Sequence, residues 1–135
     1  MIKRTYPNSR LRRTRAKGFL RDLVAENNLT TDDLIQPIFI ADQSENQIEI
    51  PSMPGIYRHN LDSLYSEVEA ITRQEIKSVA IFPAIDSSKK GQEGAHALDE
   101  KNIVCLALSG IAERFPEIIK IADVALDPYT DHGHD

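Results

Sequence analysis

Three short apolar runs, separated by two stretches of helical periodicity, constrain this chain more than any other feature. The runs are Leu34–Ile40, Val79–Phe82 and Ile118–Leu126. Each is continuous rather than alternating, the pattern of a strand buried on both faces. Between the first two, Leu61, Leu64, Val68 and Ile71 recur at helical spacing behind Asn60, a plausible N-cap. Between the second and third, Ile103, Leu106, Ala107, Gly110 and Ile111 do the same over Asn102–Arg114, and Phe115-Pro116 closes that helix. Buried strands that alternate with helices imply a parallel sheet with right-handed crossovers. The pattern alone does not choose between a doubly wound sheet and a barrel.

The expected strands carry two irregularities. Pro37 argues against a central strand paired on both sides, so an irregular start is expected there, and Pro83 is expected to end the second strand. Pro51–Gly55 is turn chemistry, and Ile48-Glu49-Ile50 before it reads as one arm of a small hairpin. Upstream, residues 1 to about 15 read as an extended arm, and Ala16–Glu26 as a helix with Phe19, Leu20, Leu23 and Val24 on one side. Thr30, Thr31 and Asp32 are placed to cap a short turn. The organisation expected is therefore an arm with a short helix over 1–33 and a sheet-forming unit over 34–135. The third run has no helix after it to cover it, which a parallel sheet requires.

Composition removes several function classes. No apolar run approaches the roughly 20 residues of a membrane-spanning helix, and the polar N-terminus lacks a signal-peptide apolar region. A lone cysteine, Cys105, excludes an intramolecular disulfide framework and fits a reducing cytoplasm. It falls on an expected helix, where packing is the ordinary role. Net charge is −5, yet every charged residue from Lys3 to Arg21 is Lys or Arg. Only Tyr6 and Phe19 accompany them as stacking aromatics, so the pattern fits a solvated terminal segment, an anionic ligand or an acidic partner surface better than nucleic acid.

The densest chemistry lies at the C-terminal end of the third run. Asp123, Asp127, Asp131 and Asp135 share 13 residues with His132 and His134, and Tyr129 stands among them. Ligands of parallel α/β folds bind at the carboxyl ends of the strands. Carboxylate and imidazole suit Mg, Mn, Zn or Fe, and Gly133 between the histidines permits a sharp turn. The competing reading is a solvated polar tail. A metal-dependent hydrolase using Asp127, His132, His134 and Asp135 is a further alternative.

Asp123-Val-Ala-Leu-Asp127-Pro-Tyr129-Thr followed by His132-Gly-His134-Asp135 resembles the signature of the porphobilinogen synthases, also called delta-aminolevulinic acid dehydratases. Pro51-Ser-Met-Pro-Gly-Ile-Tyr-Arg58, Val79-Ala-Ile-Phe-Pro83, Phe115-Pro-Glu117 and the basic Ser9–Arg15 segment resemble the family in the same order. The resemblance implies the N-terminal part of a (β/α)8 TIM barrel, about three strands, behind an arm that wraps a neighbouring subunit. It implies a lyase of heme and porphyrin biosynthesis that condenses two molecules of 5-aminolevulinate into porphobilinogen, and a cytoplasmic homo-oligomer, octameric in the family. The family's two Schiff-base lysines match positions beyond residue 135. Lys77, Lys89, Lys90, Lys101 and Lys120 do not match them, so the 135-residue chain is expected to be inactive, with assembly or binding as its alternative role. Asp123, Asp127, Tyr129, His132, His134 and Asp135 are then expected at the active-site rim.

The zinc-using branch has cysteines where this chain has Ala125, Asp127 and Asp135. Thiolates select zinc and carboxylates select hard cations. Zinc is therefore disfavoured, magnesium is a candidate for the full-length protein, and no cofactor is required by this portion. Two departures stand out. Asp99-Glu-Lys-Asn102 replaces the family's frequent Pro-Asp-Gly before the helix, and Asp131 stands where Ser or Thr is common.

Overall fold

A computed structural model describes Thr5 and residues 12–134 of the chain. Most of the arm, residues 1–4 and 6–11, and the site residue Asp135 lie outside the described residues. The elements are α1 (Gly18–Leu23), β1 (Gln36–Ala41), β2 (Gln47–Glu49), β3 (Tyr57–His59), α2 (Leu61–Arg73), β4 (Ser78–Ala84), α3 (Ile103–Arg114) and β5 (Ile119–Ala122), with short 3-10 turns between them. They form one mixed sheet in the order β2-β3-β1-β4-β5. β1, β4 and β5 are parallel, β3 runs parallel to β1, and β2 is antiparallel to β3.

The two prolines sit where only one side of a strand is paired. Pro37 lies beside Ala80 of β4, but β3 joins β1 only at Phe39 and Ile40. Pro83 lies beside Ile40, and β5 stops pairing with β4 at Ile81. β1 is a central strand whose start, at Pro37, is paired on one side only, as the proline suggests. β4 likewise continues past Pro83 to Ala84 rather than ending there.

The expected hairpin arm at Ile48 forms, pairing antiparallel with Tyr57–His59, a strand the pattern did not reveal. Two other expectations are corrected. The third parallel strand spans only Ile119–Ala122, so Asp123 follows it rather than lying on it. The first helix is six residues long, and its Phe19 and Leu23 remain 63% and 77% exposed. The early turn is Thr31–Asp33, closed by a capping box in which the Asp33 carboxylate accepts the Thr30 N–H at 2.8 Å. Asp32 instead pairs with Lys77 at 2.6 Å.

Both long helices cover the same sheet face. Ile38, Ile81 and Ala122 stand side by side in the register, and Ile40 and Val79 point the same way. With Leu64, Val68 and Ile71 of α2 and Val104, Ala107 and Ile111 of α3 they make one core. The opposite face carries Phe39 beside Phe82 (centroids 5.9 Å apart) and Ala80 beside Ile121. No described helix covers it, and Ile119 and Ile121 are 59% and 40% exposed.

Caps set the helix starts. The Asn60 side chain accepts the Ser63 N–H at 3.0 Å. The Asn102 side chain accepts the Cys105 N–H at 2.9 Å and donates to the Ala97 carbonyl at 3.1 Å, while only 3% exposed. Asp99 supplies the entry in place of a Pro-Asp-Gly turn: its carboxylate accepts the Lys101 N–H at 2.9 Å. Asn102→Ala is expected to cost about 1–3 kcal/mol, since it removes a cap and leaves the half-buried Ala97 carbonyl without its donor. Urea denaturation measures it.

His59 on β3 is 8% exposed, with Nδ1 3.2 Å from Ser63 Oγ. Burial holds its pKa below the ordinary 6.5, and the Glu67 charge opposes this only in part. The unfolded chain therefore takes up this proton more readily than the folded one. The stability this provides is complete above the unfolded value and is lost as pH falls through the depressed folded one. Denaturation midpoints measured from neutral to mildly acidic pH are expected to fall more steeply for the native chain than for His59→Gln.

Candidate functional site at the carboxyl ends of the strands

After β5 the backbone turns at Asp123, whose carboxylate accepts the Ala125 N–H at 3.2 Å. A 3-10 turn over Asp127–Tyr129 follows, with Pro128 in its first turn, where a missing N–H costs nothing. The segment then docks on the loop that follows β4. Gly91 N–H donates to the Tyr129 carbonyl at 3.1 Å, and Asp131 N–H donates to the Gly91 carbonyl at 3.3 Å. Gly94, at φ +58°, lets that loop pass under the turn, and a β-carbon there would lie 3.5 Å from Thr130 Cγ2. Buried Thr130 Oγ1 lies 3.2 Å from the Asp127 carbonyl and 3.0 Å from that of His134, and its single proton serves one at a time.

The two histidine rings stack, with centroids 6.1 Å apart and planes at 16°. Gly133 between them adopts φ +69°, the turn its position suggests. His132 Nε2 lies 3.2 Å from the Gln92 carbonyl, and His132 Nδ1 lies 3.2 Å from the His134 N–H. A carbonyl only accepts and an N–H only donates, so the tautomer assigned to His132 carries its proton on Nε2. Both ring nitrogens are thereby engaged with backbone.

Tyr129 is 5% exposed, and its ring meets His96 edge-on at 6.1 Å. Burial pushes its phenol pKa up. Tyr129, His132 and His134 are therefore gathered against the 91–96 loop, Asp127 lies in the turn above β5, and Asp123 stands apart and exposed at the strand end. Among the described residues, no group of three or more His, Cys, Asp or Glu could hold a metal ion. Those residues alone do not supply a metal centre.

The structure adds residues that the sequence pattern did not single out. Asp42 follows β1 and Asp86 follows β4, so both stand at strand carboxyl ends, lining a cleft together with Pro128 of the Asp127–Tyr129 turn. The rule applied to the third run would have found them. The Lys89 ammonium bonds the Asp42 carboxylate, joining the two strand ends, and this raises the Lys89 pKa. Asp86 accepts from Ser88 Oγ at 2.6 Å and from the Ser88 N–H at 2.9 Å, which holds its pKa below the carboxylate norm. Lys77 is likewise raised, by Asp32. A nucleophilic lysine needs the opposite shift. One cleft of about 330 Å³ opens between the starts of α2 and α3, and a second of about 470 Å³ lies over the ends of β1, β3 and β4.

Comparison with known proteins places this geometry. The family described as delta-aminolevulinic acid dehydratase matches residues 8–135. A protein of that name from Bradyrhizobium diazoefficiens is 44% identical over 126 residues, which cover 93% of this chain and 36% of the relative. One from Chlamydia pneumoniae is 41% identical, covering 93% and 38% respectively. The solved structure of the Toxoplasma gondii delta-aminolevulinic acid dehydratase (porphobilinogen synthase), in complex with the reaction product porphobilinogen, matches with a TM-score of 0.88 at 36% identity. That match covers 94% of this chain and 36% of the Toxoplasma chain. The chain thus spans well under half the length of these relatives.

Proposed function

This chain belongs to the delta-aminolevulinic acid dehydratase family, and on that premise we propose that it forms the first part of a porphobilinogen synthase barrel. The whole protein would join two molecules of 5-aminolevulinate into porphobilinogen with loss of two waters. One observation carries this reading. Among the described residues the sheet has helices on one face only, and its bare apolar face runs up to the acid-and-imidazole segment 123–134. Such a face is stable when further strands curl round to enclose it, and in a (β/α)8 barrel it becomes the inner wall. Residues 34–135 then begin the barrel and residues 1–33 form the arm.

The family's Schiff-base lysines match later positions, and the raised pKa values of Lys77 and Lys89 favour ammonium over nucleophilic amine. The 135-residue chain alone is expected to release no porphobilinogen. It is also expected to take up no label from labelled 5-aminolevulinate under borohydride reduction. Covalent label on any lysine of residues 1–135 would overturn the reading.

Carboxylates at 127 and 135, where the zinc branch has cysteine, support magnesium rather than zinc for the whole protein. The engagement of both His132 nitrogens with backbone speaks against the metal-hydrolase alternative. The reducing cytoplasm suits the lone cysteine, and no described helix is long and apolar enough to cross a membrane. A second role, assembly, is favoured by α1. Phe19, Leu23 and Val24 are exposed and join no core, which suits a helix that buries them on a second copy. Light scattering that grows with concentration, and is abolished by Phe19→Ser with Leu23→Ser, is the corresponding signature.

A further inference from the structure

We propose that the β2–β3 hairpin is an acid-released strap, latched to the start of α2 by His59, and that it carries one wall of the cleft over the strand ends. The hairpin is held by few apolar contacts. β3 joins β1 only at Phe39 and Ile40, all three residues of β2 are exposed, and the core draws no residue from 42–60. A polar knot at the base of the hairpin does the rest. The Asn46 carbonyl accepts the Ser63 hydroxyl and, at 3.0 Å, the Asn60 N–H. The Asn60 side-chain amide donates to Asn46 Oδ1 at 3.3 Å. His59 closes the knot from β3, with Nδ1 against Ser63 Oγ.

Donor directions in this knot fix the state of His59. Ser63 has one hydroxyl proton and a carbonyl only accepts, so that proton goes to Asn46, and Ser63 Oγ accepts from Nδ1. Neutral His59 is thereby assigned its proton on Nδ1, and a second proton must go to Nε2. His59 stands beside Ile40 in the register, so it points to the helix-covered face, which further strands would leave untouched. A charge formed there is poorly hydrated while the hairpin is closed and well hydrated once it opens. Glu67 of α2 and Tyr57 of β3 share a pocket with His59, and β1 and β2 bring to it only Gln36 and Gln47 as polar side chains. The Glu67 charge favours the imidazolium, but burial outweighs it. Acid therefore opens the hairpin ahead of the core. Arg58, and Gln43 bonded to the Arg58 carbonyl at 3.1 Å, then leave the cleft of about 470 Å³ that they line.

The test is amide hydrogen exchange of the 135-residue chain from neutral to mildly acidic pH, corrected for intrinsic rates. The Asn60 and Ile50 amides, bonded to the Asn46 and Ile56 carbonyls, report on the hairpin, and the Ile111 amide of α3 reports on the core. Protection at Asn60 and Ile50 is expected to lie about tenfold or more below that of Ile111 and to be insensitive to sub-denaturing urea, the mark of a local opening. It is expected to fall by about tenfold per pH unit below the ordinary 6.5 and to level off below the depressed folded value. His59→Gln is expected to abolish that fall. Glu67→Gln is expected to extend it to lower pH, because the Glu67 charge holds the folded value up. Should His59→Gln lose the native amide spectrum, Glu67→Gln carries the test alone. Protection of Asn60 and Ile50 equal to that of Ile111 would overturn the strap. So would a fall that persists in His59→Gln, or one that Glu67→Gln leaves unchanged.

Discussion

Leu64→Ala is expected to lower the unfolding free energy of this chain by about 2–5 kcal/mol. Leu64 is fully buried on α2, in the core shared with Val68, Ile81 and Ile111. Truncation loses the transfer energy of the removed carbons and leaves a cavity that two helices on a strand face cannot easily collapse. Domains of this size have about 5–15 kcal/mol in total. A core built on one side of a sheet sits toward the lower end of that range, so the substitution removes a large share of it. Leu98→Ala, at a residue 86% exposed, is expected to change stability by no more than about 0.5 kcal/mol. Urea denaturation of the two variants separates burial from hydrophobicity as such.

Gly110→Leu is expected to cost about 1–3 kcal/mol, through the contact between α2 and α3. A β-carbon at Gly110 would lie 2.6 Å from Tyr65 Cζ, well inside van der Waals contact. Relief requires the Tyr65 ring to swing and to give up its stack with the Arg114 guanidinium, which lies 3.9 Å from the ring centroid. Helix propensity favours leucine over glycine by less than about 1 kcal/mol, so the steric term wins. Adding Tyr65→Ala to Gly110→Leu is expected to return part of the loss. A double-mutant cycle that showed no coupling would mean the helices do not meet there.

The parts of this fold that sequence reveals are those set by local chemistry. α2 and α3 announce themselves through an asparagine cap and a run of 3.6 periodicity, and both caps form as the sequence suggests. β1 and β4 show as continuous apolar runs because alternate residues face the core and those between them, Phe39, Ala80 and Phe82, line the opposite face. β3 does not show, since Tyr57-Arg58-His59 has no apolar run and exists only through its neighbours β1 and β2. β5 reads too long for a related reason. Val124 and Leu126 extend its apolar run but are 89% and 42% exposed in this chain. On the proposed barrel, later elements would cover them.

The candidate site divides in the same way. Asp127, His132 and His134 form a motif that can be read directly. Its docking onto Gly91, Gln92 and Gly94 uses backbone groups some 40 residues away, as in the His132–Gln92 contact, and backbone pairing leaves no side-chain signature. The Asp42–Lys89 pair, 47 residues apart, is invisible for the same reason.

The uncovered sheet face is the feature from which the reading of an incomplete barrel follows, and methyl NMR with a soluble paramagnetic probe tests it most directly. At a concentration where scattering shows a monomer, the methyl signals of Ile119, Ile121 and Val124 are expected to be strongly broadened by the probe. Those of Ile81, Ile111 and Leu64 are expected to be spared. Protection of Ile119 and Ile121 equal to that of Ile81 would contradict it, because the chain would then have closed its own second face.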